Sequence, residues 1–264
     1  MNVLVTGATS LLGRSVVGRL VGRGDTVSVL QRHPSGLGVT EHLGDITDQQ
    51  VVASSMAGAE AVVHLAARVA VTGPWADFEA VNVHGTRNVV EAARAAAVRR
   101  FVQVSSPSVA YHGQSLIGSP AQPADPFRAR GHYARSKASA ELLALAADSP
   151  DMSVVAVRPH LVWGPGDTQL IGRIIDRARA GRLATVGSGA ALIDTTYIDN
   201  AADALVAALD RAPDIGGRAL VVTNGEPRPV SELLNRIVRS AGLEPTRVRV
   251  PYHAARGGGF AVER

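Results

Sequence analysis

The sequence predicts an α/β fold: a doubly wound parallel sheet with a small C-terminal lobe. Three observations predict it. Short apolar runs alternate with stretches of helical apolar spacing through the first part of the chain. Those runs are nearly continuous, rich in valine and without polar alternation, the pattern of strands covered on both faces. A glycine turn, Thr6-Gly7 to Gly13, separates the first run from the first helical stretch.

The elements follow in order. Val3-Leu4-Val5 is the first strand, and Leu12, Val16, Val17, Leu20 and Val21 then recur at helical spacing until Gly22-Arg23-Gly24 stops the helix. Thr26 to Leu30 reads as a second strand, Val39 to Leu43 as a third, Asp48 to Met56 as a short helix and Ala61 to Leu65 as a fourth strand. A helix over Asp77–Ala97, a strand at Arg100–Val104, a helix at Tyr133–Ala147 and a strand at Ser153–Val157 repeat the unit. The Gly/Ser/Pro/Ala-rich stretch Gly113–Arg130 reads as a long loop, and loops of that length usually serve function. Later, Gln169–Ala180, Asn200–Leu209 and Val230–Ala241 read as helices, Asp194–Ile198 as the lead into the second of them, and Ala219–Thr223 as a strand. No linker divides the halves. Residues 1–165 are expected to form the core, and 166–264 a lobe whose elements interleave with the last core strands in one compact unit. The tail from Gly257 to Arg264 carries no stop signal.

Composition narrows the class. A chain of 264 residues fits one or two domains, and 46% apolar with 19% charged residues excludes a disordered chain. The absence of cysteine excludes disulfides, thiolate metal sites and cysteine nucleophiles. No apolar run approaches the ~18–20 residues of a membrane span, and Met1-Asn2-Val3-Leu4-Val5 lacks the flank of a signal peptide. A cytoplasmic protein with no membrane partner is expected. The net charge is only +4, and the pI of 10.1 reflects how little titrates at alkaline pH, with four tyrosines and a single lysine. Scattered arginines and 4% aromatics make no nucleic-acid surface. Of the 27 Lys and Arg residues only Lys137 is lysine, a compact point charge that can shift its pKa where a guanidinium cannot.

The chemistry starts at the glycine turn. Between a strand and a helix, Gly7 permits a tight turn and Gly13 permits close helix–strand packing, while the helix N-terminus offers free N–H groups to a pyrophosphate. This is the context of a dinucleotide site, with Ser10 where a middle glycine belongs. The second strand ends in Leu30-Gln31-Arg32-His33, without the acid that bonds the ribose 2′-OH of NAD, and Arg32 suits the 2′-phosphate of NADP. NADP is therefore the expected cofactor, with NAD possible. Tyr133 and Lys137 lie four apart on one helix face, where the ammonium is expected to lower the phenol pKa for proton exchange with a carbonyl or hydroxyl oxygen. Ser105-Ser106 closes the strand Arg100–Val104, at the strand end where open α/β sheets bind ligands. His84 and His132 have no metal-ligand spacing with carboxylates, and no metal is expected.

Together these motifs resemble the extended short-chain dehydrogenase/reductase superfamily, in its NAD(P)-dependent epimerase/dehydratase and 3β-hydroxysteroid dehydrogenase-like branch. The resemblance runs through Thr6-Gly7 to Gly13, Gly44-Asp45, His64-Leu65-Ala66-Ala67, Val81 to Thr86, Val104-Ser105-Ser106, Tyr133 with Lys137, Arg158-Pro159, Trp163 to Asp167 and Tyr197 to Asn200. It implies a Rossmann fold and a catalytic Ser106, Tyr133 and Lys137. The cofactor-binding set it implies is Gly7, Thr9, Ser10, Leu11, Leu12, Gly13, Arg32, Asp45, Ile46, Leu65, Ala66, Ala67, Asn82, Tyr133, Lys137 and Pro159, with Asp45 at the adenine and Pro159 beside the nicotinamide. Two departures stand out: Ser10 itself, and a chain that stops before the further C-terminal segment of the relatives, implying a fragment or an open substrate lobe.

Pro107-Ser108 follows Ser106 where sugar-nucleotide dehydratases of this superfamily carry Asp-Glu, so elimination is not expected. The favoured reading is an oxidoreductase moving hydride between the nicotinamide and a carbonyl or secondary alcohol. The alternatives are a nucleotide-sugar epimerase and, in another class, a non-catalytic NAD(P)-binding regulator. A sterol or a long β-keto acid is a substrate by analogy with the branch alone. Tyr111, His112 and Trp163 are expected to flank the pocket, and the helices Asp77–Ala97 and Tyr133–Ala147 would be the faces of a homodimer.

Overall fold

The structure is a computed structural model and describes residues 1–255; the tail from Gly257 to Arg264 lies outside the described residues. In chain order the elements are β1 (Asn2–Thr6), α1 (Leu11–Gly22), β2 (Thr26–Gln31), β3 (Thr40–Leu43), α2 (Gln49–Ser55), β4 (Ala61–His64), α3 (Trp75–Phe78), α4 (Thr86–Ala95), β5 (Arg100–Val104), α5 (Gly131–Leu145) and β6 (Ser153–Pro159). There follow β7 (Val162–Trp163), α6 (Ile171–Arg179), β8 (Thr185–Val186), β9 (Leu192–Ile193), β10 (Thr196–Tyr197), α7 (Ile198–Ile215), β11 (Ala219–Val222), β12 (Arg228–Pro229), α8 (Val230–Ser240) and β13 (Arg249–Val250). They group into two units: residues 1–160 with 198–222, and residues 161–197 with the chain from 223 onward.

The first unit is a seven-stranded parallel sheet in the order β3-β2-β1-β4-β5-β6-β11. Successive side chains of a strand point to opposite faces, so an unbroken apolar run feeds two cores at once. Val3 and Val5 pack with Val16, Val17 and Leu20 of α1 and Leu205 and Leu209 of α7. Leu4 points the other way and joins Val52 of α2, Val89 and Val90 of α4, Phe101 of β5 and Ala144 of α5. The order of strands reverses between β1 and β4, and that switch point opens a crevice at the strands' C-terminal ends.

Two predicted helices differ. The stretch Asp77–Ala97 is not one α-helix: a π-helical segment, Glu79–Gly85, joins α3 to α4. Helix α7 is longer than Asn200–Leu209 and runs past Pro213 to Ile215, because Leu205, Ala208, Leu209 and Ala212 carry its buried face onward and outweigh the proline's missing N–H. The second unit pairs β10 with β7 and β13 with β8 in parallel and β12 with β9 antiparallel, and packs α6 on α8. A cavity of about 650 Å³ within it is walled by Trp163, Leu170, Tyr197, Leu233 and Ile237.

Candidate active site

The crevice begins at Gly7. Its φ is +72°, and a Cβ there would stand 2.7 Å from the Ala66 amide nitrogen, so only glycine lets the loops after β1 and β4 approach this closely. Gly13 is equally confined, since its Cβ would meet the Gly7 carbonyl at 2.5 Å. Ser10 is the N-cap of α1: its hydroxyl accepts from the Gly13 amide at 3.0 Å and donates to the Gly7 carbonyl at 2.9 Å. The serine thus locks the turn that a middle glycine would leave open. Thr9 and Ser10 are exposed at the rim, and the first amides of α1, at Leu11 and Leu12, have no intrahelical acceptor. The cradle fits an anionic pyrophosphate.

At the end of β2 lies a residue to which the sequence alone assigns no role. Gln31 is 5% exposed, and both its amide oxygen and nitrogen lack a hydrogen-bond partner among the described residues. Orphaned polar atoms at such depth are costly, and a bound polar group relieves them. Arg32 is exposed and makes no ion pair among the described residues. Asp45 caps its own turn, accepting from the amide and hydroxyl of Thr47 at 2.9 Å each. Ile46 is buried against Gly85, whose Cβ would stand 2.6 Å from the isoleucine Cδ1.

The loop after β4 carries Leu65, Ala66 and Ala67, all partly buried. Asn82, in the π-helical segment, fixes it. The Asn82 side chain accepts from the Arg68 amide at 2.7 Å and donates to the Arg68 carbonyl and to Ser136 Oγ, at 3.2 and 2.9 Å. Its amide is spent on protein, so it organises the loop and the neighbouring helix α5.

Ser106, Tyr133 and Lys137 come together at the C-terminal end of β5. Ser106 caps the turn Pro107–Ala110, its hydroxyl 2.9 Å from that of Ser108, and it lies beside the Tyr133 phenol. Burial pushes the Tyr133 phenol above its ordinary pKa while the neighbouring Ser106 hydroxyl works the other way. The lowering expected from the nearby ammonium is not what the structure shows. Lys137 is buried, donates to the Val104 carbonyl at 2.6 Å, and has its pKa pulled down to about 8 by burial, against the opposing pull of Glu141. Pro159 ends β6 in a buried position. The sequence alone assigns no role to Glu141 or Arg158, which form a buried ion pair, Glu141 standing one turn beyond Lys137. Tyr111 is exposed, and His112 has a buried Nδ1 without a partner among the described residues. Trp163 lies in the second unit, its indole N–H on Thr195 Oγ1 at 3.0 Å.

No helix among the described residues is long and apolar enough to cross a membrane. The sequence profile of the NAD dependent epimerase/dehydratase family matches residues 3–222. The chain is 39% identical over 275 residues to a 2-alkyl-3-oxoalkanoate reductase of Stenotrophomonas maltophilia, covering 100% of this chain and 83% of that one. It is 36% identical to the 2-alkyl-3-oxoalkanoate reductase of Shewanella oneidensis, over 99% of this chain and 72% of the other. Among solved structures, the UDP-glucose 4-epimerase of Thermus thermophilus in complex with NAD superposes with a TM-score of 0.77 at 26% identity, over 95% of this chain and 86% of that one. With the glycine cradle at the switch point and the parallel sheet beneath it, the chain belongs to the NAD dependent epimerase/dehydratase family and is an NAD(P)-binding enzyme of the oxidoreductase and epimerase kind.

Proposed function

We propose that this enzyme is an NADP(H)-preferring ketoreductase, with Tyr133 as proton donor, Ser106 holding the reacting oxygen and Lys137 supporting both phenol and cofactor. The observation that carries the reading is the Tyr133 phenol beside Ser106, one helical turn from the buried Lys137, whose ammonium donates to the Val104 carbonyl at the end of β5. When bound, a dihydronicotinamide would supply hydride, and so both electrons, to a carbonyl carbon. Tyr133 gives the proton that the carbonyl oxygen needs as it becomes an alcohol. A phenol held neutral by burial suits that direction, because it still carries its proton at pH 7. Ser106 donates to the same oxygen and keeps it within reach of the phenol. Gly7, Ser10 and Gly13 would hold the pyrophosphate, and Gln31 and Arg32 would hold the adenosine ribose.

NADP(H) preference is supported by what ends β2: a neutral amide with a donor and an acceptor to spare, then a cation with no ion pair among the described residues, and no carboxylate to repel a 2′-phosphate. The two reductases act, by their names, on 2-alkyl-3-oxoalkanoates, which supports a 3-oxo acid as the substrate class here. The likeness to the UDP-glucose 4-epimerase supports a second reading, epimerisation with retained NAD. One assay separates them. We expect NADPH consumption with a 2-alkyl-3-oxo acid, one cofactor per alcohol formed. Conversion of UDP-glucose to UDP-galactose without net cofactor turnover would put the epimerase first.

A further inference from the structure

Lys137 and Glu141 stand one turn apart on the same face of α5, 4% and 1% exposed. Both oxygens of Glu141 are taken by Arg158, at 2.8 Å from Nε and 2.5 Å from Nη2. Arg158 is the residue before Pro159 on β6, and its remaining arm donates through Nη1 to the Gln122 carbonyl at 2.7 Å. Gln122 belongs to the long loop that follows Ser106. One carboxylate and one guanidinium therefore join the helix of Tyr133 and Lys137, the strand of Pro159 and the loop after β5.

We propose that Glu141 is a positioning residue of this site: braced by Arg158, its carboxylate is the fixed counter-charge of Lys137 and holds α5 in register with the strand and loop around the reacting atoms. The inference rests on the reading of Ser106, Tyr133 and Lys137 given above. Stability alone is a poor reason for such a pair, because apolar residues of similar volume commonly do as well in its place. An apolar pair cannot place a negative charge beside Lys137. That ammonium is buried on the Val104 carbonyl, and among the described residues Glu141 is the carboxylate that resists its loss of a proton. The other ionisable groups around it do not serve. His64 on β4 is neutral, its pKa held at about 3 by burial and by the charge of Lys137. Arg158 on β6 and Tyr133 on α5 bring no negative charge at neutral pH. On the segments packed against α5, Asp77 is paired with Arg68, Glu79 is only partly buried, and His84, Arg87, Glu91 and Arg94 are exposed. The turn Pro107–Ala110 carries no ionisable group.

Lys137 is the sole lysine, so protein grown on carbon-labelled lysine gives one side-chain resonance, and its titration reads this ammonium directly in the full chain. In the wild type we expect a midpoint near pH 8. In E141Q the midpoint should fall by about one pH unit or more, a roughly tenfold loss of proton affinity. The alkaline limb of kcat/KM for ketone reduction should move down with it, and E141D should restore both. If E141Q does not fold, because Arg158 is left unpaired, the double variant E141Q/R158M removes both charges and should show the same fall. An unchanged midpoint in the folded variant, or an E141D midpoint as low as that of E141Q, overturns the proposal. Failure of the site reading is separate: full turnover in Tyr133→Phe would remove the phenol from the chemistry, while the lysine resonance would still report what Glu141 does.

Discussion

A lysine buried to the tip, on a chain whose other 26 strongly basic residues are arginines, sits where a guanidinium fits poorly. Lys137 fits beneath the Val104 carbonyl as a point donor, in a space closed by the packed face of α5. Arginine is planar and longer, and it stays charged at any physiological pH. Lys137→Arg and Tyr133→Phe should each lower turnover by about 10²–10⁴, and the double variant should lose no more than the worse single, because the two residues form one unit. Steady-state rates on a 3-oxo acid decide it, and near wild-type activity in Lys137→Arg would remove the lysine from the mechanism. Gln31 invites a second test at this scale. Its orphaned amide sits where a carboxylate would select NAD, so Gln31→Asp should repel a 2′-phosphate and favour a 2′-OH. Fluorescence titration should show the NADPH:NADH affinity ratio falling at least tenfold, and an unchanged ratio would move recognition of the ribose elsewhere.

The π-helical segment between α3 and α4 shows what an element adds beyond its residues. A helix with one extra residue in a turn re-aims its side chains, and here that brings Asn82 to the loop after β4 and to Ser136 of α5 together. Asn82→Ala would strip partners from buried groups, at a cost of about 1–3 kcal/mol. We expect a lower midpoint in urea and a weaker grip on the cofactor, with the pH profile of the chemistry unchanged; a loss confined to stability would mean that the loop needs no help from Asn82. Helical spacing over Asp77–Ala97 announces a helix but not its π turn, because the partners that Asn82 meets there, Arg68 and Ser136, lie outside that stretch. The same holds for Glu141 and Arg158, whose meaning appears only when α5 lies against β6. The two-residue strands of the second unit span a single period of two, too short for an alternation to show in the sequence. What was legible was local: valine runs that fill both faces of the sheet, Gly7 and Gly13 at a strand–helix turn, and Tyr133 four before Lys137. Ser10 was legible as a departure and not as a cap, since its bonds to Gly7 and Gly13 depend on the turn's geometry.

At the scale of the whole molecule, a sheet covered on both faces leaves its central strands no water, and any polar group on them must find its partners inside. His64 on β4 does so, with Nδ1 2.6 Å from Thr6 Oγ1 of β1 and Nε2 3.0 Å from Thr86 Oγ1 of α4, tying two strands and a helix together at the foot of the crevice. A neutral imidazole offers one donor and one acceptor to those hydroxyls. A protonated one would bury a charge near Lys137, which is why the folded-state pKa falls from an ordinary 6.5 to about 3. The unfolded chain takes up this proton near pH 6.5 and the native one only near pH 3, so stability is fully present above the unfolded value and drains away as the pH falls between the two. Between pH 7 and pH 5 the loss from this one group should be about 2 kcal/mol. Urea unfolding at the two pH values measures it in the wild type and in His64→Asn, whose amide keeps a donor and an acceptor but cannot titrate. The variant should be less stable at pH 7, since its shorter side chain reaches the two threonines less well, yet its stability should change far less between pH 7 and pH 5. An equal slope in both proteins would place the acid sensitivity of this fold in its carboxylates and not in the buried histidine.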